Sequence, residues 1–176
     1  MSEGTMKLIG ACLVMVGCMG LAQCRIGKDK KRKMLLGNLQ KLFVMLHSEI
    51  QFRNLTITEA FFQISRRIDS HLANFLTEIG EEWRQKRGES VGEIWKSCVR
   101  RDFSDSYLKK EDLDWLEEIG EGLGSFDRTE QVRHIELLLK YLEEELAVCE
   151  RTVRESEKLY KTMGLLGGIF IIVLLF

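Results

Sequence analysis

Not one proline occurs among the 176 residues. Every backbone amide is therefore available to a helix ladder, and no pyrrolidine ring interrupts one. The segment from Arg128 to Phe176 uses this freedom most fully. Val132, Ile135, Leu139, Leu142, Leu146, Cys149, Val153, Ser156 and Tyr160 fall on an unbroken 3,4 repeat in which only Ser156 is polar, the pattern of a coiled-coil-like packing seam. A single helix over these residues could run from a polar head into the apolar terminus. The seam's natural partner is the stripe Leu36, Leu39, Phe43, Leu46 and Ile50, spaced 3, 4, 3 and 4.

Shorter amphipathic pieces lie between these two, at Ile57 to Ile68, His71 to Lys86, Ser90 to Arg101 and Lys109 to Leu123. Ser90 with Glu93 reads as a capping box, and Asp127 with Glu130 as another, after Gly120, Gly122 and Gly124 have closed the preceding helix. No alternating strand pattern competes. The expectation is an all-α, antiparallel bundle of about six helices. With 30% charged and 45% hydrophobic residues, the composition excludes collagen-like, low-complexity and disordered classes.

The two ends differ from the middle. Leu8 to Cys24 is a run of 17 uncharged residues, and Thr162 to Phe176 one of 15, each flanked by cations. As a helix the first is just long enough to cross a bilayer, and the second is extended by the apolar surface of Leu159 and Tyr160 while Lys158 and Lys161 snorkel to the interface. Arg25 to Lys33 holds six cations and one anion, and Arg151, Arg154, Lys158 and Lys161 precede the second run. Positive charge resists export, which places residues 26–161 as a cytoplasmic bundle between an N-terminal transmembrane helix, 1–25, and a C-terminal one, 162–176. The cationic cluster also suits contact with anionic membrane lipids. Cations after the apolar run have the wrong polarity for a cleaved signal peptide. Leu21-Ala22-Gln23-Cys24 loosely resembles a lipobox, but Gln23 stands where a small residue is expected, so lipidation of Cys24 is the lesser reading. Gly164 and Gly168 form a GxxxG spacing that suits either dimerisation of the last helix or packing on the Gly17 and Gly20 region of the first.

A total of 26 Lys+Arg against 27 Asp+Glu argues against a nucleic-acid binder. Residues 34–161 are acidic, with 19 Lys+Arg and 25 Asp+Glu, and Glu111, Asp112, Asp114, Glu117, Glu118 and Glu121 follow one another with no intervening base. Such a row is either a solvated helix face or a surface that steers a basic partner. The five cysteines form no CxxC pair and read as structural thiols, with no zinc site. His47, His71 and His134 are far apart, and no phosphate loop, HExxH, nucleophile elbow or Rossmann fingerprint is present. The chain therefore reads as non-enzymatic, with no metal or cofactor.

Gly122-Leu123-Gly124-Ser125-Phe126-Asp127 followed by Gln131 and His134, with Leu39-Gln40, Glu49-Ile50 and the run Met163 to Gly168, resembles the stage III sporulation protein AB family. The most specific part is Leu-Gly-x-x-Asp-x-x-x-Gln-x-x-His, here Leu123, Gly124, Asp127, Gln131 and His134, a motif expected to be structural. The resemblance implies a sporulation membrane protein in the mother-cell membrane around the forespore. It also implies similarity to F-type inner-membrane platform proteins of secretion systems. The implied role is a platform component of the mother cell to forespore channel, coupling the sporulation ATPase of the same operon to other channel subunits. A tethered helical scaffold that self-associates without an ATPase is the alternative. One departure is Thr56, which stands where the family pattern has proline; Thr56 or Thr58 can cap the next helix instead.

Overall fold

The computed structural model describes the backbone of residues 3–53, 55–85, 90–123 and 127–175, and side chains of residues 27–53, 55–85, 90–123, 127–160, 162, 163 and 166. All regular structure among them is helical: α1 Glu3–Arg53, α2 Ile57–Ser65, α3 Ser70–Gln85, α4 Val91–Phe103, α5 Lys110–Leu123 and α6 Arg128–Leu175. The four short helices match the amphipathic pieces expected from periodicity, with ends displaced by a few residues.

Local chemistry explains where the short helices begin. The Ser90 hydroxyl accepts from the Glu93 amide at 3.1 Å while the Glu93 carboxylate accepts from the Ser90 amide at 3.1 Å. Thr56 and Glu59 form the same reciprocal pair at the start of α2, with the Thr56 amide 3.0 Å from the Glu59 carboxylate. The turn without proline is thus capped by a side chain, which satisfies amides the helix cannot.

The chain divides into two compact units. Residues 32–147 form the helical bundle. Its core is built from the α1 stripe, where Leu36, Leu39, Leu42, Phe43, Leu46 and Ile50 are all buried. Trp95 of α4 stands at the centre, with ring centroids 5.8 Å from Phe43, 5.9 Å from Phe61 and 5.1 Å from Phe75. Its indole N–H donates to the Leu116 carbonyl at 2.7 Å, so its one polar atom is satisfied inside the core. From α6, Ile135, Leu138 and Leu142 are buried, and the neighbouring seam positions Val132, Leu139 and Leu146 are half-buried. Helices α4 and α5 pack backbone to backbone at Gly92 and Gly120. A Cβ on Gly92 would enter the Gly120 carbonyl, and one on Gly120 would lie 2.6 Å from Trp95 Cδ1, so glycine is required at both.

Residues 1–31 and 148–176 form the second unit. Lys30 and Glu157 pair there at 2.7 Å, and Cys149 is buried. No helix among the described residues is long and apolar enough to cross a membrane. The expected spans Leu8–Cys24 and Thr162–Phe176 lie outside the residues whose side chains are described, apart from Thr162, Met163 and Leu166. So do Cys24, Gly164 and Gly168. The units divide at 31/32 and 147/148, inside the stretch that the charge pattern assigns to one bundle.

Candidate interaction surface on the bundle

The acidic row on α5 separates into three kinds of residue. Asp112 is not part of any exposed face; it is 4% exposed and lies beneath α5. Its carboxylate accepts from Arg32 Nε at 2.8 Å, Arg32 Nη2 at 2.6 Å, the Lys109 amide at 2.8 Å and the Tyr141 hydroxyl at 2.9 Å. Arg32, only 5% exposed, also reaches Glu145 at 2.6 Å. One buried guanidinium thereby joins α1, α5 and α6. Burial works to raise the Asp112 carboxyl, but Arg32, the amide and the phenol outweigh it and hold the group below the usual carboxylate range. Burial and the Asp112 charge push the Tyr141 phenol well above its ordinary value.

Glu117 is the second kind. Arg100 of α4 holds it in a fork, with Nε at 2.9 Å and Nη2 at 2.8 Å, and this bonding lowers its carboxyl. Glu111, Asp114, Glu118 and Glu121 remain exposed, Glu121 with Lys96 at 3.9 Å. Asp114, Glu118 and Glu121 follow a spacing of four and three along the outer side of α5. Glu111, Trp115 and Glu118 fall on the side toward α6, where Trp115 stacks on Tyr141 with centroids 4.9 Å apart. The exposed rows flank a rigid aromatic pair rather than forming one uniform patch.

Side chains at the start of α6 are tied to the end of α5. The Thr129 amide donates to the Asp127 carboxylate at 2.9 Å, and the Glu130 carboxylate pairs forward with Arg133 at 2.7 Å. Gln131 Nε2 donates to the Leu123 carbonyl at 3.1 Å, which satisfies a group left open at the end of α5. His134 packs against the bare Cα of Gly122, where a Cβ would collide with the imidazole. Four of the five motif residues, Leu123, Asp127, Gln131 and His134, thus lie at the facing ends of α5 and α6; Gly124 lies outside the described residues. A profile of stage III sporulation protein AB matches residues 7–176. The chain belongs to the stage III sporulation protein AB family. The stage III sporulation protein AB of Bacillus subtilis (strain 168) is 27% identical over 172 residues, covering 97% of this chain and 99% of that one. A solved structure of a stage III sporulation protein AB superposes with a TM-score of 0.63 at 23% identity, covering 70% of this chain and 97% of that chain.

As a stage III sporulation protein AB family member, the chain has a role in sporulation. Its histidines occupy separate places: His47 Nε2 lies 3.1 Å from Glu136, His71 packs edge-on against Phe103, and His134 sits on Gly122. Cys98 is buried, and burial raises its thiol, which leaves little nucleophilic thiolate. Sequence reasoning missed Arg32, Tyr141 and Arg128. Arg32 was hidden in a basic cluster that looked wholly superficial. Arg128 donates through Nη2 to the Ile50 and Gln51 carbonyls at the end of α1, a role that only the folded arrangement reveals.

Proposed function

We propose that this chain is a non-enzymatic platform component of the channel between mother cell and forespore, anchored in the mother-cell membrane by its two apolar ends with the bundle in the cytoplasm. Asp114 and Glu121 on the outer side of α5 dock the sporulation ATPase, and other channel subunits assemble around the same bundle. The observation that carries this reading is the pinning of α5: Arg32 grips its first turn from beneath while three carboxylates stay exposed on its outer side. A rigid, single-sign row speeds encounter with a basic partner and fixes orientation without needing bound cofactor or metal. Motion of the partner then passes to the membrane through α6.

Copurification tests the docking. Tagged chain should recover the ATPase from sporulating cells, and Asp114→Lys with Glu121→Lys should lower recovery at least tenfold while helicity stays unchanged. Undiminished recovery refutes docking on this row. Failure of the unaltered chain to recover any ATPase favours the ATPase-free scaffold. Topology is read separately from a single cysteine at Glu118 in an otherwise cysteine-free chain: an impermeant maleimide should label it only after permeabilisation, and labelling in intact cells refutes the cytoplasmic placement.

A further inference from the structure

A second unpartnered face lies on α1 of the same bundle. Met34 is 65% exposed and Val44 53%, and Lys41 is exposed between them. Met34, Gly37, Lys41, Val44 and Ser48 recur at 3, 4, 3 and 4, so they form one outward stripe opposite the buried one. The α5 and α6 side of the bundle carries a complement. Leu137 is 49% exposed and stands one turn before Tyr141, which stacks on the 37% exposed Trp115; Glu118 and Glu144 edge this shelf. One face is apolar with a central cation, the other apolar with carboxylate edges. Lys41 and Glu118 have no partner among the described residues.

Register makes the match specific. Arg32 meets Glu145 at 2.6 Å and His47 meets Glu136 at 3.1 Å, so α1 and α6 run antiparallel and residues 34–44 stand at the height of α6 residues 137–144. Trp115 and Tyr141 place the α5 shelf at that height too. Two copies standing side by side in the same orientation, as tethering to one membrane requires, would therefore bring Val44 level with Leu137 and Lys41 level with Glu118 and the aromatic pair.

We infer that the α1 stripe of one copy docks on the Trp115, Tyr141 and Leu137 shelf of the next, a head-to-tail contact whose occupant is a second copy of this chain. The two patches differ, so the contact is heterologous, and repeating it about an axis along the bundle generates a ring or an open array rather than a two-fold dimer. Gly37 leaves the middle of the stripe without a Cβ, letting the helix approach the shelf closely. Lys41 lays its stem over the Trp115 ring and sets its ammonium against Glu118, a cation–π and ion-pair combination. The same orientation of copies rests on the membrane tethering proposed above.

The test uses the full chain with its five native cysteines replaced by alanine, coexpressed as two differently tagged copies, one with Val44→Cys and the other with Leu137→Cys. Mild oxidation of native membranes should join the two tags, because a disulfide demands Cβ atoms about 4 Å apart. Either cysteine alone should give at least tenfold less dimer. No 44 to 137 adduct, or a stronger 137 to 137 adduct, overturns the proposal. Membrane fractionation of the same cells scores the tethering reading independently. With native cysteines kept, Lys41→Glu should reduce copurification of two tagged copies at least fivefold, and adding Glu118→Lys to the same chain should restore it. Absence of restoration overturns the assigned pairing.

Discussion

Replacing Asp112 by alanine removes a carboxylate that accepts four hydrogen bonds, two from Arg32, one from the Lys109 amide and one from the Tyr141 hydroxyl. The consequence follows from what remains. Arg32, at 5% exposure, keeps its contact with Glu145 but loses the Asp112 charge, and the Tyr141 hydroxyl loses its acceptor. Breaking a buried ion pair from one side costs about 3–5 kcal/mol, and the surviving Glu145 contact points to the lower end, about 3 kcal/mol. For a chain of this length that corresponds to a fall in Tm of about 6–12 °C. Arg32→Met combined with Asp112→Leu removes both charges and fills the space, so its cost should drop to about 1–2 kcal/mol, the difference being coupling. Thermal and urea unfolding of the purified full chain, followed by circular dichroism, measure both. A single variant losing under about 1 kcal/mol, or a double variant as unstable as the single, would refute the claim that this carboxylate's value lies in compensating a buried guanidinium.

Two further outcomes follow from the same bundle. Gly92→Ala should lower stability by about 1–3 kcal/mol, despite alanine's better helix propensity, because the new methyl enters the Gly120 carbonyl; an unchanged urea midpoint would show that α4 and α5 can separate without cost. The Tyr141 phenol is raised above its ordinary value, so its contribution to stability is complete below about pH 10, the unfolded value, and is lost as pH rises through the folded one. Absorbance titration should show a late phenolate fraction that Tyr141→Phe abolishes, and an identical titration curve for both chains would contradict the assigned environment.

Helix positions were legible because they are encoded within a turn or two. The Ser90 and Glu93 box is complete in four residues, and Thr56 with Glu59 supplies the cap that a missing proline left in question. Charge was legible only as sign. Six acids in a row looked like one face, yet one is buried, one is held by Arg100, and the exposed ones point along two sides of α5. The motif residues Leu123, Asp127, Gln131 and His134 could be named from sequence, but the reason for Gly122 before them, the imidazole lying on its Cα, depends on how α6 turns back.

By itself the sequence determined the all-helical class, the four short helices, the side-chain caps at Thr56 and Ser90, and the apolar stripes of the two long helices, since each of these is encoded within a few residues. Only the tertiary structure decided which charges are buried. Arg32 and Asp112 are 80 residues apart, and nothing local to either distinguishes it from its exposed neighbours. Burial of an ion is set by what packs around it, and the desolvation that makes such a pair costly to break exists only after α1, α5 and α6 have come together.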